Sequence, residues 1–301
     1  MTTAHDRRRL LHLGVLLGPT TVFLAVFFLM PLGIMTVYSF LEPGLYGGVQ
    51  WNFYHLNYGR ILGWADGEIE EFDPVYIKVF LLSVRLALIT VVTCLLICYP
   101  AAFWVSRLSI RAKHFCIFLV TLPFFASLVV RLFAWILILR PTGFINATLQ
   151  KLGVITEPLN MMFTEGAVIV GMTYIFLPFM FLPVYASIEK LDMSYIEASS
   201  DLGANRFQTF WRIVLPLTLP GVAGGSIIVF IPSLGNFVVP QLLGGAHVYM
   251  IGNMVEQQFL YARNWPFGAA LAMMVMATVL FFLLIYAVSL SRSEGEGMVR
   301  G

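Results

Sequence analysis

Apolar residues fill this chain in six long runs, and the stretches between them hold nearly all of its charge. From Leu10 to Leu41 there is no Asp, Glu, Lys or Arg. Taken with the later runs, this predicts membrane spans at about Leu13–Tyr38, Val79–Ser106, Phe115–Leu139, Ala167–Ile188, Leu217–Leu243 and Phe267–Leu290. Each supplies the roughly 20 apolar residues that cross a bilayer as a helix. Helix is required, because lipid offers the backbone no hydrogen-bond partners and no alternating barrel pattern is present. Pro178, Pro183, Pro216, Pro220, Pro232 and Pro240 crowd the fourth and fifth spans, where kinks or breaks are expected. The interrupted fifth span is therefore the candidate wall of a solute pathway, since broken helices face cavities.

Composition excludes the soluble alternative. Of 301 residues, 59% are hydrophobic and 11% charged, against roughly 25% charged in soluble domains. A net charge of +2, without a basic patch interleaved with aromatics, argues against nucleic acid. Arg7, Arg8 and Arg9 precede the first run, but that run exceeds the roughly 7–15 apolar residues of a signal peptide and reads as an uncleaved span. Cys94 and Cys98 share a helical face, yet no His or third Cys completes a metal site, so they read as packing residues. The expected architecture is one all-α integral membrane domain over residues 1–301, with six transmembrane helices.

Charge sets the orientation. With the N-terminus inside, inner segments hold eleven cations: Arg7, Arg8, Arg9, Arg107, Arg111, Lys113, Lys190, Arg206, Arg212, Arg292 and Arg300. Outer segments hold five: Arg60, Lys78, Arg140, Lys151 and Arg263. Both termini are thus expected in the cytoplasm. The first outer segment combines Trp51-Asn52-Phe53-Tyr54 and Asn57-Tyr58, suited to a short interfacial helix, with acids at Asp66, Glu68, Glu70, Glu71 and Asp73. That acidic run reads mainly as a solvated face. Turn residues mark Pro141-Thr142-Gly143 and Gly244-Gly245.

The longest inner connection runs from Glu189 to Pro216. Ser194 is placed to cap a short helix, with Glu197 as the returning acid of a capping box. Gly203 is placed to end it, and Asn205 to cap a second helix carrying Phe207, Phe210, Trp211 and Val214. A helix–turn–helix lying along the inner membrane face is expected.

Glu197-Ala198-Ser199, Gly203 and Ile213-Val214-Leu215-Pro216 resemble, at matching spacing, the Glu-Ala-Ala…Gly…Ile-x-Leu-Pro loop of ABC importer membrane subunits. Ser199 replaces the preferred Ala. The resemblance continues through Tyr99-Pro100-Ala101, Pro123-Phe124, Arg131-Leu132, Leu177-Pro178-Phe179, Phe237-Val238-Val239-Pro240 and Arg263-Asn264-Trp265-Pro266-Phe267-Gly268. It is similar to the first permease of spermidine/putrescine-type importers, with a type I ABC importer fold. This implies a second permease, two ATPase subunits, a periplasmic solute-binding protein and residence among the lipids of a bacterial inner membrane. It implies a coupling helix with Glu197, Ala198, Ser199, Asp201, Leu202 and Gly203 at the ATPase. The chain carries no Gly-x4-Gly-Lys-Ser/Thr phosphate loop, so ATP and Mg belong to the partner ATPase and no cofactor is expected here.

For the solute, the resemblance points to polyamines. Arg131, Trp135, Glu165, Tyr174, Asn236, Phe237 and Gln241 are the pathway candidates, and Asn57, Tyr58, Arg263 and Trp265 the candidates for docking the binding protein. A polycation needs acids and aromatics along its path. Glu165 is the nearest acid, whereas Arg85 and Arg131 put cations in the membrane. Asn236 and Gln241 stand where similar proteins carry acids, which leaves an opine, amino acid or betaine open as solute. A secondary transporter would need intramembrane coupling acids and inverted repeats, and a membrane enzyme a catalytic cluster. His5, His12, His55, His114 and His247 are scattered singly.

Overall fold

The computed structural model describes residues 17–64 and 72–299, with side chains to Val288. Arg7, Arg8, Arg9, the start of the first span at Leu13, the acids Asp66, Glu68, Glu70 and Glu71, Arg300, His5, His12 and the Arg292 side chain lie outside these bounds. Among the described residues six helices are long and apolar enough to cross a membrane: Leu17–Ser39, Val75–Val105, Leu128–Lys151, Glu165–Glu189, Arg206–Leu234 and Trp265–Val288.

Two compact units are present. The larger comprises Val75–Met254 and Val275–Gly301. Its centre is three helices: α3 (Val75–Val105), α7 (Glu165–Glu189) and α10 (Leu215–Leu234). On α3 the buried positions Leu86, Thr90, Cys94, Cys98 and Ala102 recur every fourth residue, making one inward stripe. Lipid is as apolar as Leu, so close packing and polar contacts rather than the hydrophobic effect join such helices. Both devices are visible. A Cβ on Gly221 would collide with Ser187 Cβ and lie 2.7 Å from the Pro183 carbonyl, and one on Gly225 would lie 2.9 Å from Met180 Sδ. Tyr99 and Thr218 share a buried hydroxyl hydrogen bond of 2.8 Å, and Cys98 Sγ donates to the Leu177 carbonyl at 3.3 Å. Pro178 and Pro183 do not interrupt α7, which these neighbours brace on two sides.

Two spans differ from expectation. The third is not a continuous helix over Phe115–Leu139. Helix α4 (Ile110–Thr121) passes into a 3-10 turn at Leu122–Phe125, Ala126 is extended, and α5 (Leu128–Leu139) starts afresh. Pro123 has no N–H to continue the ladder. The fifth span is helical only to Leu234. Asn236 Oδ1 then accepts from Val239 N–H at 3.0 Å and opens a wide turn at Pro240–Gly244. That turn packs on α7: Gly171 has no side chain, and Val239 Cγ1 would lie 3.0 Å from a Cβ there. A short helix α6 (Phe144–Lys151) follows α5, after the expected turn at Gly143. Asn146 braces that turn, donating to the Arg140 and Leu159 carbonyls at 3.4 and 3.0 Å.

The second unit holds the described part of Met1–Pro74 with Val255–Met274. Helix α1 (Met30–Ser39) follows a wide turn at Ala25–Leu29. Pro31 explains it, because a proline ring displaces the carbonyl four residues earlier, here that of Phe27. Strands β1 (Leu41–Pro43) and β2 (Val49–Phe53) form an antiparallel hairpin, and α2 (Leu56–Ile61) follows. Trp51-Asn52-Phe53 is therefore strand and not the interfacial helix expected; Gly44, Gly47 and Gly48 turn the chain back, and Asn52 donates to Glu42 across the pair at 3.1 Å. Of α11 (Ile251–Glu256), Ile251–Met254 belong to the larger unit, and α12 (Trp265–Val299), the last span, belongs to the second unit up to Met274 and to the larger one from Val275.

Candidate functional site

The loop after α7 is a compact helical hairpin. Helix α8 (Met193–Asp201) is capped by Asp192, whose carboxylate accepts from Ser194 N–H at 2.9 Å. Ser194 is therefore the second residue inside the helix and not its cap, and Glu197 closes no capping box. The backbone bond from Ser194 holds the exposed Asp192 carboxyl below its usual range. At the far end Ala204 N–H reaches back to the Ser199 carbonyl at 3.0 Å, and Gly203 takes φ +80, the left-handed closure expected of it.

Asn205 caps the next helix as expected. Its Oδ1 accepts from Gln208 N–H at 2.8 Å, and Gln208 Oε1 accepts from Asn205 N–H at 3.0 Å. This helix, α9 (Arg206–Thr209), is not separate from the fifth span. It runs through a wide turn at Phe210–Val214 directly into α10. Pro216 accounts for the wide turn, since Arg212 stands four residues before it. The second arm of the hairpin thus continues directly into the fifth span.

Glu197, Ala198, Asp201, Leu202 and Gly203 are exposed, with Leu202 at 89% forming the tip. Ser199 is not: it is 4% exposed, donates to the Ile196 carbonyl at 2.8 Å and meets Thr209 Oγ1 at 2.9 Å. Val214 is buried, whereas Phe207 and Trp211 are exposed. Lys113 on α4 pairs with Glu189 at 2.7 Å, fixing the base of the loop.

The pathway candidates separate into groups. Trp135 on α5 and Tyr174 on α7 stack edge to face with centroids 5.7 Å apart. Glu165, in the first turn of α7, is held by Arg85 of α3, whose Nη2 lies 2.5 and 2.6 Å from its two oxygens. Arg85 thus has an ion-pair partner. The Nε of Arg131 is buried and has no partner among the described residues. Asn236 is occupied as the cap described above, Phe237 is 40% exposed and Gln241 is exposed.

Of the docking candidates, Asn57 is buried and ties α2 to the end of α1 and to β1 through the Ser39 and Leu41 carbonyls at 3.1 and 3.0 Å, so it offers no docking surface. Tyr58 donates to Ser39 Oγ at 2.8 Å. Arg263 and Trp265 are exposed, and the Arg263 carbonyl accepts from Gly48 at 3.2 Å. Sequence reasoning missed Ser83, whose buried hydroxyl donates to the Val79 carbonyl and accepts Ile251 N–H at 2.8 Å. No local signal marks it.

Residues 94–293 match the family model described as binding-protein-dependent transport system inner membrane component. The chain belongs to that family. It is an ABC importer permease subunit, a multi-pass protein of the bacterial inner membrane, and its place is in transport and not in catalysis. The permease is 42% identical over 230 residues to the spermidine/putrescine transport system permease protein PotB of Escherichia coli K12, covering 76% of this chain and 80% of that one. PotB of Salmonella typhimurium LT2 is equally similar, with 76% and 77% covered. The inner membrane ABC transporter permease protein YdcU of Escherichia coli K12 is 37% identical over 226 residues, covering 70% and 71%. Among solved structures, a bacterial ABC transporter involved in import of the acidic polysaccharide alginate superposes with a TM-score of 0.71 at 18% identity, over 96% of this chain and 98% of that one. That likeness concerns the fold.

Proposed function

We propose that this permease forms half of the solute pathway of an ATP-driven importer for polyamines, spermidine or putrescine, with both termini in the cytoplasm. A second permease completes the pathway, two ATPase subunits bind ATP and Mg, and a periplasmic binding protein delivers the solute. The observation that carries the coupling role is the continuous helical path from α9 through the wide turn into α10, with α8 joined to α9 by the Ser199–Thr209 hydrogen bond. An ATPase that grips Leu202, Gly203 and the exposed acids Glu197 and Asp201 holds a lever fused to the fifth span. Movement of that lever tilts α10 against α7, where Gly221 and Gly225 bring the helices close. The substrate class is supported by the 42% identity to PotB.

A second reading is favoured by one observation. The Arg131 Nε is unpartnered and Glu165 is already neutralised by Arg85, a balance that suits a solute bearing a carboxylate. The deciding experiment is uptake by the reconstituted importer, with its binding protein, of labelled spermidine and putrescine in competition with unlabelled opines, amino acids and betaines. Saturable ATP-dependent spermidine or putrescine uptake, unaffected by the zwitterions, is expected. Uptake of a zwitterion with neither polyamine transported would replace the polyamine assignment and leave the coupling role standing.

A further inference from the structure

Beside the coupling hairpin lies a cavity of about 520 Å³, bounded by the end of α3, by α8 and by α9 with the wide turn that follows. Two cations line it, Arg107 and Arg206, and no carboxylate does. Among the described residues the salt bridges are Arg85–Glu165 and Lys113–Glu189, so neither lining arginine is neutralised by one. Arg107 is held at the wall, its guanidinium 4.2 Å from the centre of the Phe103 ring. The rest of the lining is largely apolar and includes Phe103, Ile196 and Phe210.

Depth narrows the choice of occupant. Arg107 stands two residues beyond the last residue of α3, and Val214, also in the lining, leads straight into α10. The cavity therefore sits where spans end, at the level of lipid headgroups. Basic pockets between spans at this level recognise phosphate-bearing headgroups. A free phosphate would leave the apolar part of the lining unused, whereas a glycerophospholipid matches both parts.

We infer that this cavity binds one anionic phospholipid, its phosphate between Arg107 and Arg206 and the first part of its acyl chains against Phe103 and Phe210. Bound there, the lipid bridges α3 to the coupling hairpin and stiffens the lever from the side. The site is independent of the solute carried.

The test is native mass spectrometry of the assembled importer released from phosphatidylcholine nanodiscs doped with phosphatidylglycerol. Wild type is expected to retain phosphatidylglycerol, and the R107Q/R206Q variant to bind it more weakly by roughly fivefold for each charge removed. R107K/R206K, which keeps both charges, is expected to retain most of it. Arg111→Gln removes an exposed cation of α4 outside this lining and is expected to change nothing. Equal retention by wild type and R107Q/R206Q overturns the site, as does an equal loss in Arg111→Gln, which would mark general surface charge. Two other results also overturn the lipid assignment: displacement of the lipid by excess inorganic phosphate, and loss of the ATPase from R107Q/R206Q with lipid retention unchanged.

Discussion

Ser199 Oγ and Thr209 Oγ1 lie 2.9 Å apart, both buried, and pin α8 to the helix that continues into the fifth span. Ser199 is the one departure from the small-residue pattern of the loop, and its hydroxyl is used for this contact. With the Ser199 proton on the Ile196 carbonyl, Thr209 donates to Ser199; the Asn205 carbonyl, 3.1 Å from Thr209 Oγ1, is its alternative acceptor, so Ser199→Ala leaves Thr209 satisfied locally. Ser199→Ala and Thr209→Val are each expected to cost about 1 kcal/mol of stability, with a coupling of about 0.5–1.5 kcal/mol in the double-mutant cycle. Thermal melts of the purified importer measure it, and strict additivity would show that the two hydroxyls do not act together.

Gly221 and Gly224 lie three residues apart on α10 and should respond oppositely to a methyl group. A Cβ at Gly221 meets Ser187 and the Pro183 carbonyl, whereas nothing lies within 4 Å of one at Gly224. Gly221→Ala is expected to destabilise by about 1–3 kcal/mol through overpacking. Gly224→Ala is expected to be neutral or to stabilise by up to about 1 kcal/mol, as Ala does in helices. Denaturation midpoints in detergent separate the two.

The cap at Asp192 carries a pH dependence. Its carboxyl titrates lower folded than the free value of 3.8, first because of the Ser194 backbone bond. The cap's charge-dependent contribution is thus fully present above the free value and is lost as pH falls through the folded one. Hydrogen exchange at the first turn of α8 is expected to be slow at neutral pH and to speed up, relative to Asp192→Asn, on acidification below about pH 4. Asparagine caps nearly as well without titrating. Identical pH profiles for the two proteins would remove the carboxylate from the cap.

What was legible in the sequence was local. Gly203 and Asn205 announce a helix end and a helix start within three residues, and both occur as read. Ser194 was misplaced because Asp192, two residues earlier, is an equally good cap, and the choice depends on where α7 stops. The break at Ala126 was hidden by hydropathy, since Phe124, Phe125 and Ala126 continue an apolar run across the Pro123 turn. Trp51 and Phe53 suit an amphipathic helix as well as a strand, and the turn at Gly44, Gly47 and Gly48 decides for the β1–β2 hairpin. Arg85 and Glu165 are 80 positions apart, and only the packing of α3 on α7 brings them together.

The ATPase lever is tested most directly at Glu197, which is exposed on α8. The measurement is ATP-driven spermidine uptake by the reconstituted importer carrying Glu197→Arg, with subunit stoichiometry checked. Charge reversal at an interface costs several kcal/mol, so uptake is expected to fall by about 100-fold or more while the permease pair still inserts and assembles. Uptake at the wild-type rate would contradict the assignment of α8 as the helix the ATPase grips.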